Sequence, residues 1–392
     1  MREALILFDI TIVLLVAKIL EEIMARLRQP TILGDLLAGI LVGPTVLGLV
    51  STTENIESLA WVGIVILLFL AGIESNVSEF RKYGFQVLLV ALGGVIACFM
   101  LGFLYAYFAG YDIKAMLFLG AILTPTSVGV TVRTLMEIDI LHSKEGHVIL
   151  GAAVADDVYG IIVLALVYSM VLENKISIEG LYPIIIGLLV IFLIAFMAHR
   201  FSLEIGHFLR KLKVHESAFT TVFILGLSIA TLSAFFRLSP LIGAFFIGLA
   251  LSELPGSSAI RDRLEFLSSI ITPLFFVYAG ILLNPWSALA SSSFYRMIII
   301  GLTIVALGVI GKIVGCGLAA KLSGMTWKEA LAIGIGMIPR AGVDLVIAVT
   351  GLTIGAITQE LYFGTLLLIY ATSLSTPVLL KKVFKYKLKS SR

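Results

Sequence analysis

The chain has 392 residues, 59% of them hydrophobic and only 14% charged, with a mean hydropathy of +1.09. A water-soluble domain carries about 25% charged residues. A soluble fold is therefore excluded, and the net charge of +3 is too small to mark a nucleic-acid partner.

Apolar runs long enough to cross a bilayer recur from end to end. In lipid only helices and closed barrels satisfy the backbone, and runs of this length exclude barrel strands. The fold class is an all-α polytopic membrane protein. Hydropathy with Gly/Pro punctuation predicts thirteen spans, near 4–25, 31–49, 57–73, 85–109, 114–134, 146–171, 181–199, 218–236, 239–254, 264–283, 294–320, 329–352 and 360–380.

The first span begins next to Met1, shows no cleavage-site pattern and is read as a retained helix. It carries Asp9, Lys18, Glu21 and Glu22, and the second span carries Asp35. Lying near helix ends, these groups are expected to reach interfacial water or a subunit contact. The second span also holds "ILGDLLAGI", with Gly34 and Gly39, and the third ends in "LAGIE", with Gly72. The fourth contains Cys98, which, like Cys316 in the eleventh, reads as a small apolar filler. The fifth contains "LTPTSVG", in which Pro125 interrupts a helical run between Thr124, Thr126 and Ser127; proline removes a helix hydrogen bond and disfavours helix at the residue before it.

The sixth span contains "GAAVADDVYG", with Asp156 and Asp157 near its centre. Each ionised group at that depth costs several kcal/mol, so acids there mark function. Consecutive helical residues lie about 100° apart, so the two acids face different neighbours. The ninth span holds "LIGAFFIGL", with Gly243 and Gly248, and the tenth ends in "YAGIL", with Gly280. These echo the second and third spans at offsets of 209 and 208 residues. The offset is seven spans, an odd number, so the two copies have opposite orientation, as in the inverted repeats of secondary transporters. The eleventh span holds Lys312 in "VIGKIVGCG", which needs an acid and has Asp156 or Asp157 to choose from. In the twelfth, "GMIPRAGVD", Pro339 repeats the interruption of Pro125, and Arg340 and Asp344 are spaced for an i,i+4 ion pair.

Basic residues sort by side. The odd-numbered loops and the tail "KKVFKYKLKSSR" hold 20 of the 28 lysines and arginines, and the other loops hold five. That bias puts the C-terminus in the cytoplasm and the N-terminus outside a cell membrane. His142, His147, His199, His207 and His215 fall on or beside the basic loops and read as solvated.

A buried carboxylate that binds either a proton or an alkali cation, but not both, is the minimal machinery of exchange. Half-helix dipoles and the oxygens of Thr124, Thr126 and Ser127 are suited to complete a cation's shell. No phosphate loop, metal cluster or nucleotide site is legible, so no cofactor is expected beyond the transported cation and proton.

"GAAVADDVYG", "TPTSVGVTVRTL", "VIGKIVGCG" and "GMIPRAGVDLVIA", in that order, resemble the NapA-type branch of the cation:proton antiporter superfamily across essentially the whole chain. The resemblance implies a homodimer working as an elevator. In it, 1–84 and 181–283 would form mainly the dimerisation scaffold, 85–171 and 294–380 the mobile core, and 381–392 a basic cytoplasmic tail. It also implies that Asp157 is the ion-binding acid, that Asp156 partners Lys312, that Thr126 lies in an unwound stretch, and that exchange of sodium or lithium for protons is electrogenic. Relatives often read Pro-Arg-Gly-Glu in the twelfth span, where this chain has Gly342 in place of the acid; Asp344 is the available substitute.

Potassium/proton exchange is the alternative, although potassium-efflux systems commonly add a soluble nucleotide-sensing domain, which would follow "KLKSSR". A sodium-coupled organic-anion symporter shares the broken-helix logic without the Asp-Asp and lysine pattern. An intramembrane aspartyl protease needs its two acids on separate facing helices with a GxGD-type segment, a demand that adjacent acids do not meet.

Overall fold

All thirteen predicted spans coincide with helix, and two of them are split. The computed structural model describes residues 2–27, 29–44, 46–50, 54–75, 77–172, 181–211, 216–254, 257–282, 294–340 and 342–390; Lys175, Lys213 and His215 lie outside them. The first four spans are α1 (Arg2–Arg26), α2 (Ile32–Val42), α3 (Glu54–Glu74) and α5 (Gly84–Phe108), with the short α4 (Val77–Lys82) before the last. The fifth is α6 (Ile113–Ile122) and α7 (Val128–Glu137). Then come α8 (Lys144–Leu172), α9 (Tyr182–Arg200), the connecting α10 (Ser202–Lys211), α11 (Ser217–Phe235), α12 (Pro240–Leu251), α13 (Ser257–Ile281) and α14 (Phe294–Leu322). The twelfth span is α15 (Trp327–Gly336) and α16 (Gly342–Thr353), and α17 (Gln359–Ser390) follows.

Among the described residues, eight helices are long and apolar enough to cross a bilayer alone, and four more are apolar but shorter. α2 and α6 are among the short ones: α2 stops at Gly43 and α6 shortly before Pro125. α1 has the length, but it carries the charged groups Asp9, Lys18, Glu21, Glu22 and Arg26.

The chain divides into two compact units. One is Met1–Thr52, Tyr83–Ser177 and Val277–Arg392; the other is Thr53–Lys82 and Ile178–Phe276. In the first, α14 packs along α5, α15 and α17, α5 also meets α6 and α8, and α1 lies on α2. In the second, α12 is the centre, covered by α3, α9 and α11.

The repeat is visible in how glycines meet. In the first unit a Cβ at Gly39 would lie 2.7 Å from Gly280 Cα; in the second, a Cβ at Gly248 would lie 3.1 Å from Gly72 Cα. No larger residue tolerates such backbone approach. The sequence offsets map Gly39 onto Gly248 and Gly72 onto Gly280, so one contact is the other with its partners exchanged. That exchange is what two-fold-related copies produce. A second correspondence agrees: Gly120 packs on Phe99, and Gly334 packs on Ile313.

Candidate ion site at the crossed broken helices

Both breaks are made by local sequence. α6 ends at Ile122, Thr124–Ser127 run without helix, and Ser127 restarts the chain as N-cap of α7, its hydroxyl accepting from Val130 N at 3.5 Å. α15 begins with a capping box of Thr326 and Glu329 and ends at Gly336. Pro339, which has no N–H to give a helix, lies in the unwound stretch before α16.

The two unwound stretches lie against each other. Ser127 N donates to Pro339 O at 2.7 Å, Thr126 Oγ1 to Met337 O at 3.0 Å, and Thr131 Oγ1 to Gly336 O at 2.9 Å. The fully buried Arg340 guanidinium donates to Pro125 O. These bonds satisfy carbonyls that the breaks set free, as buried backbone requires. The negative ends of α6 and α15 and the positive ends of α7 and α16 are thereby gathered in one place.

Arg340 also stands 3.5 Å from Asp344 Oδ1 and 3.5 Å from Cys98 Sγ. Its backbone is held from α17: Thr372 Oγ1 accepts from Arg340 N at 3.2 Å, and Ser373 Oγ donates to Arg340 O at 2.6 Å. Arg340→Lys keeps the charge and loses the planar fork. It is expected to lower stability by about 1–2 kcal/mol, read as a lower melting temperature in detergent; an unchanged curve would make the Pro125 contact dispensable.

The acid pair belongs to the same unit. Asp156 and Asp157 on α8 are both buried, and Lys312 Nζ on α14 donates to Asp156 Oδ2 at 2.7 Å, with both side chains 0% exposed. The choice left open by the sequence thus falls on Asp156, whose Oδ1 has no hydrogen-bond partner. Glycines on α5 make room for the lysine: a Cβ at Gly94 would lie 3.3 Å from Lys312 Nζ, and one at Gly93 would lie 2.7 Å from Gly315 O. Thr124 Oγ1 donates to Ala121 O at 2.8 Å, so this hydroxyl, like those of Thr126 and Thr131, spends its proton on a carbonyl and keeps its lone pairs.

Three expectations need correction. Asp35, expected at interfacial water or a subunit contact, is 0% exposed, because α2 presses on α1 at Gly34. Glu21, expected in the same places, is 9% exposed. Cys98 is a free, buried cysteine as expected, and it also touches the Arg340 guanidinium. His147 is buried, with Nδ1 2.8 Å from Ser143 O, rather than solvated. Thr131, Thr372 and Ser373 were not singled out; only their setting in polar stretches of apolar spans hinted at them.

Two interrupted helices crossing beside a buried carboxylate–lysine pair define a secondary transporter that carries ions by binding and release. The comparisons agree. The family described as "Sodium/hydrogen exchanger, transmembrane" matches residues 11–385, and the chain belongs to it; it is a cation/proton antiporter and not an enzyme. It is 33% identical over 379 residues, 96% of this chain and 99% of the relative, to the probable Na(+)/H(+) antiporter GerT of Bacillus cereus. It is 32% identical to the Na(+)/H(+)-K(+) antiporter GerN of the same organism, covering 98% of each chain. Its fold is that of the sodium proton antiporter MjNhaP1 from Methanocaldococcus jannaschii, with a TM-score of 0.68 at 17% identity and 97% of each chain covered.

Proposed function

We propose that the protein exchanges sodium, or lithium in its place, for protons, that Asp157 is the carboxylate the two ions compete for, and that exchange is electrogenic. One observation carries this reading. Asp156 and Asp157 lie buried on α8 and the buried Lys312 on α14 reaches Asp156, so these three groups carry a formal balance of −1. A single monovalent cation neutralises that balance, and a proton does so equally well. Lys312 holds Asp156 and Arg340 stands by Asp344, and the likeness of "GAAVADDVYG" to the NapA-type motif gives the ion-binding role to Asp157.

Burial makes this competition obligatory. An uncompensated charge in low dielectric is costly, so the site moves easily only when loaded. Loaded with sodium it travels one way, and protonated it returns. The oxygens of Thr124, Thr126, Ser127 and Asp156 are assigned to the cation's shell in this reading, and the half-helix ends add their dipoles. Lys312 supplies a second proton if Asp156 joins the cation's shell, which is the source of the net charge movement. The NapA-type pattern of motifs further supports a homodimer whose scaffold draws on 1–84 and 181–283 while 85–171 and 294–380 move as an elevator. The basic loops support a cell membrane with the C-terminus inside.

A relative described as acting on potassium as well as sodium favours a second reading, potassium/proton exchange at the same site. Cation-driven collapse of a pH gradient in proteoliposomes separates them. Sodium and lithium are expected to act at lower concentration than potassium. Potassium acting best moves the assignment to the second reading, and inactivity of all three overturns both.

A further inference from the structure

A second acid pair lies in the same unit but belongs to other helices. Asp35 on α2 is fully buried, and neither of its oxygens receives a hydrogen bond. Gly34 creates the burial: a Cβ there would lie 2.5 Å from Glu21 N, so α2 rests directly on the backbone of α1. Glu21 is nearly buried as well; Lys18 Nζ meets its Oε2 at 2.6 Å, and its Oε1 receives nothing. The contact of Gly34 with Glu21 N brings Asp35, the next residue, beside Glu21. Two ionised carboxylates side by side in a buried place repel, and one proton held between them relieves the pair.

The charged groups facing Asp35 are Glu21 and Lys18 from α1 and Arg133 from α7. α17 also packs on α2, and among the described residues it adds no charged group to those three. Arg133 Nε is held by Glu137 Oε1 at 3.1 Å. Glu137 in turn closes the start of α2: it accepts Thr31 N at 2.8 Å, Ile32 N at 3.2 Å and the Thr31 hydroxyl. The N-terminus of α2 is therefore tied to α7, one half of the first broken helix, by a carboxylate whose other partner is Arg133.

We propose that Asp35 and Glu21 bind one proton between them, as a proton site separate from Asp156 and Asp157, and that its occupancy decides whether Arg133 stays with Glu137. With the proton bound, the pair carries one negative charge, which Lys18 offsets, and Arg133 is left to Glu137. With the proton released to water, reached through the half-exposed Lys18, a second buried negative charge appears beside Arg133. The guanidinium is drawn toward Asp35, Glu137 loses its cation, and the tie between α2 and the broken helix loosens. This goes beyond the exchange reaction, because the proton it binds is not transported.

An infrared difference spectrum, recorded as the full-length protein in lipid is titrated with alkali, reads the carbonyl stretch of a protonated carboxyl group directly. Wild type and Asp157→Asn are expected to share a band that titrates away, and Asp35→Asn and Glu21→Gln are each expected to lack it. Two variants on different helices separate loss of the proton site from disturbance of the α1–α2 contact. No such band in the wild type, or a band that survives both substitutions, overturns the site. Since Asp157→Asn should keep the band, this result is independent of whether the transport reading holds. The coupling has its own readout: the pH midpoint of sodium-driven exchange is expected to move by roughly one unit in Asp35→Asn, tenfold in proton concentration. An unmoved midpoint overturns the link to Arg133 and Glu137.

Discussion

Asp157→Asn is expected to abolish sodium-driven proton exchange while the protein still folds. Asparagine has the shape of the acid without its charge, and the Lys312–Asp156 pair at 2.7 Å is untouched. Removing one partner of a buried charge contact costs about 2–5 kcal/mol, roughly 30-fold to several-thousand-fold in affinity. The proton branch fails with the cation branch, because the amide binds neither. A second readout needs no transport. Sodium at about 100 times its dissociation constant stabilises the protein that binds it by about 2.7 kcal/mol. The melting temperature of the wild type should therefore rise with sodium, and that of Asp157→Asn should not. A variant that exchanges within a few-fold of wild type, or that sodium still stabilises, would remove Asp157 from the centre of the site.

Much of this site is legible in the sequence because its causes are local. Pro125 and Pro339 stand among Gly, Thr and Ser at matching places of two spans, unlike Pro273 and Pro377, which continuous helices carry, and two acids inside an apolar run announce themselves by their cost. Gly34, Gly39, Gly243 and Gly248 reveal the repeat because close packing leaves no other residue possible at those places. What escapes is whatever a neighbouring helix decides. Position along the chain placed Asp35 near water, yet α2 is only 11 residues long and α1 covers it. The link from Arg340 to Pro125 spans 215 residues, and no spacing rule reaches that far. The choice between Asp156 and Asp157 as partner of Lys312 is a matter of helix rotation, which adjacency leaves open and the packing of α8 against α5 fixes.

Breaking the Lys312–Asp156 pair from one side is expected to harm the fold more than removing both partners. Each side chain is fully buried, and a lone charge left in such a place costs about 3–5 kcal/mol, whereas replacing a whole buried pair with uncharged groups of similar volume is often neutral. Asp156 Oδ1 has no hydrogen-bond partner, so the pair is incompletely satisfied, and losing both halves is cheaper still. Asp156→Asn should therefore strand an ammonium against Gly94 and Cys316, and Lys312→Met should strand a carboxylate; Asp156→Asn with Lys312→Met should melt above either single variant. Melting curves of the three variants test this expectation. Strict additivity of the two substitutions would show that the contact is geometric proximity without energetic coupling.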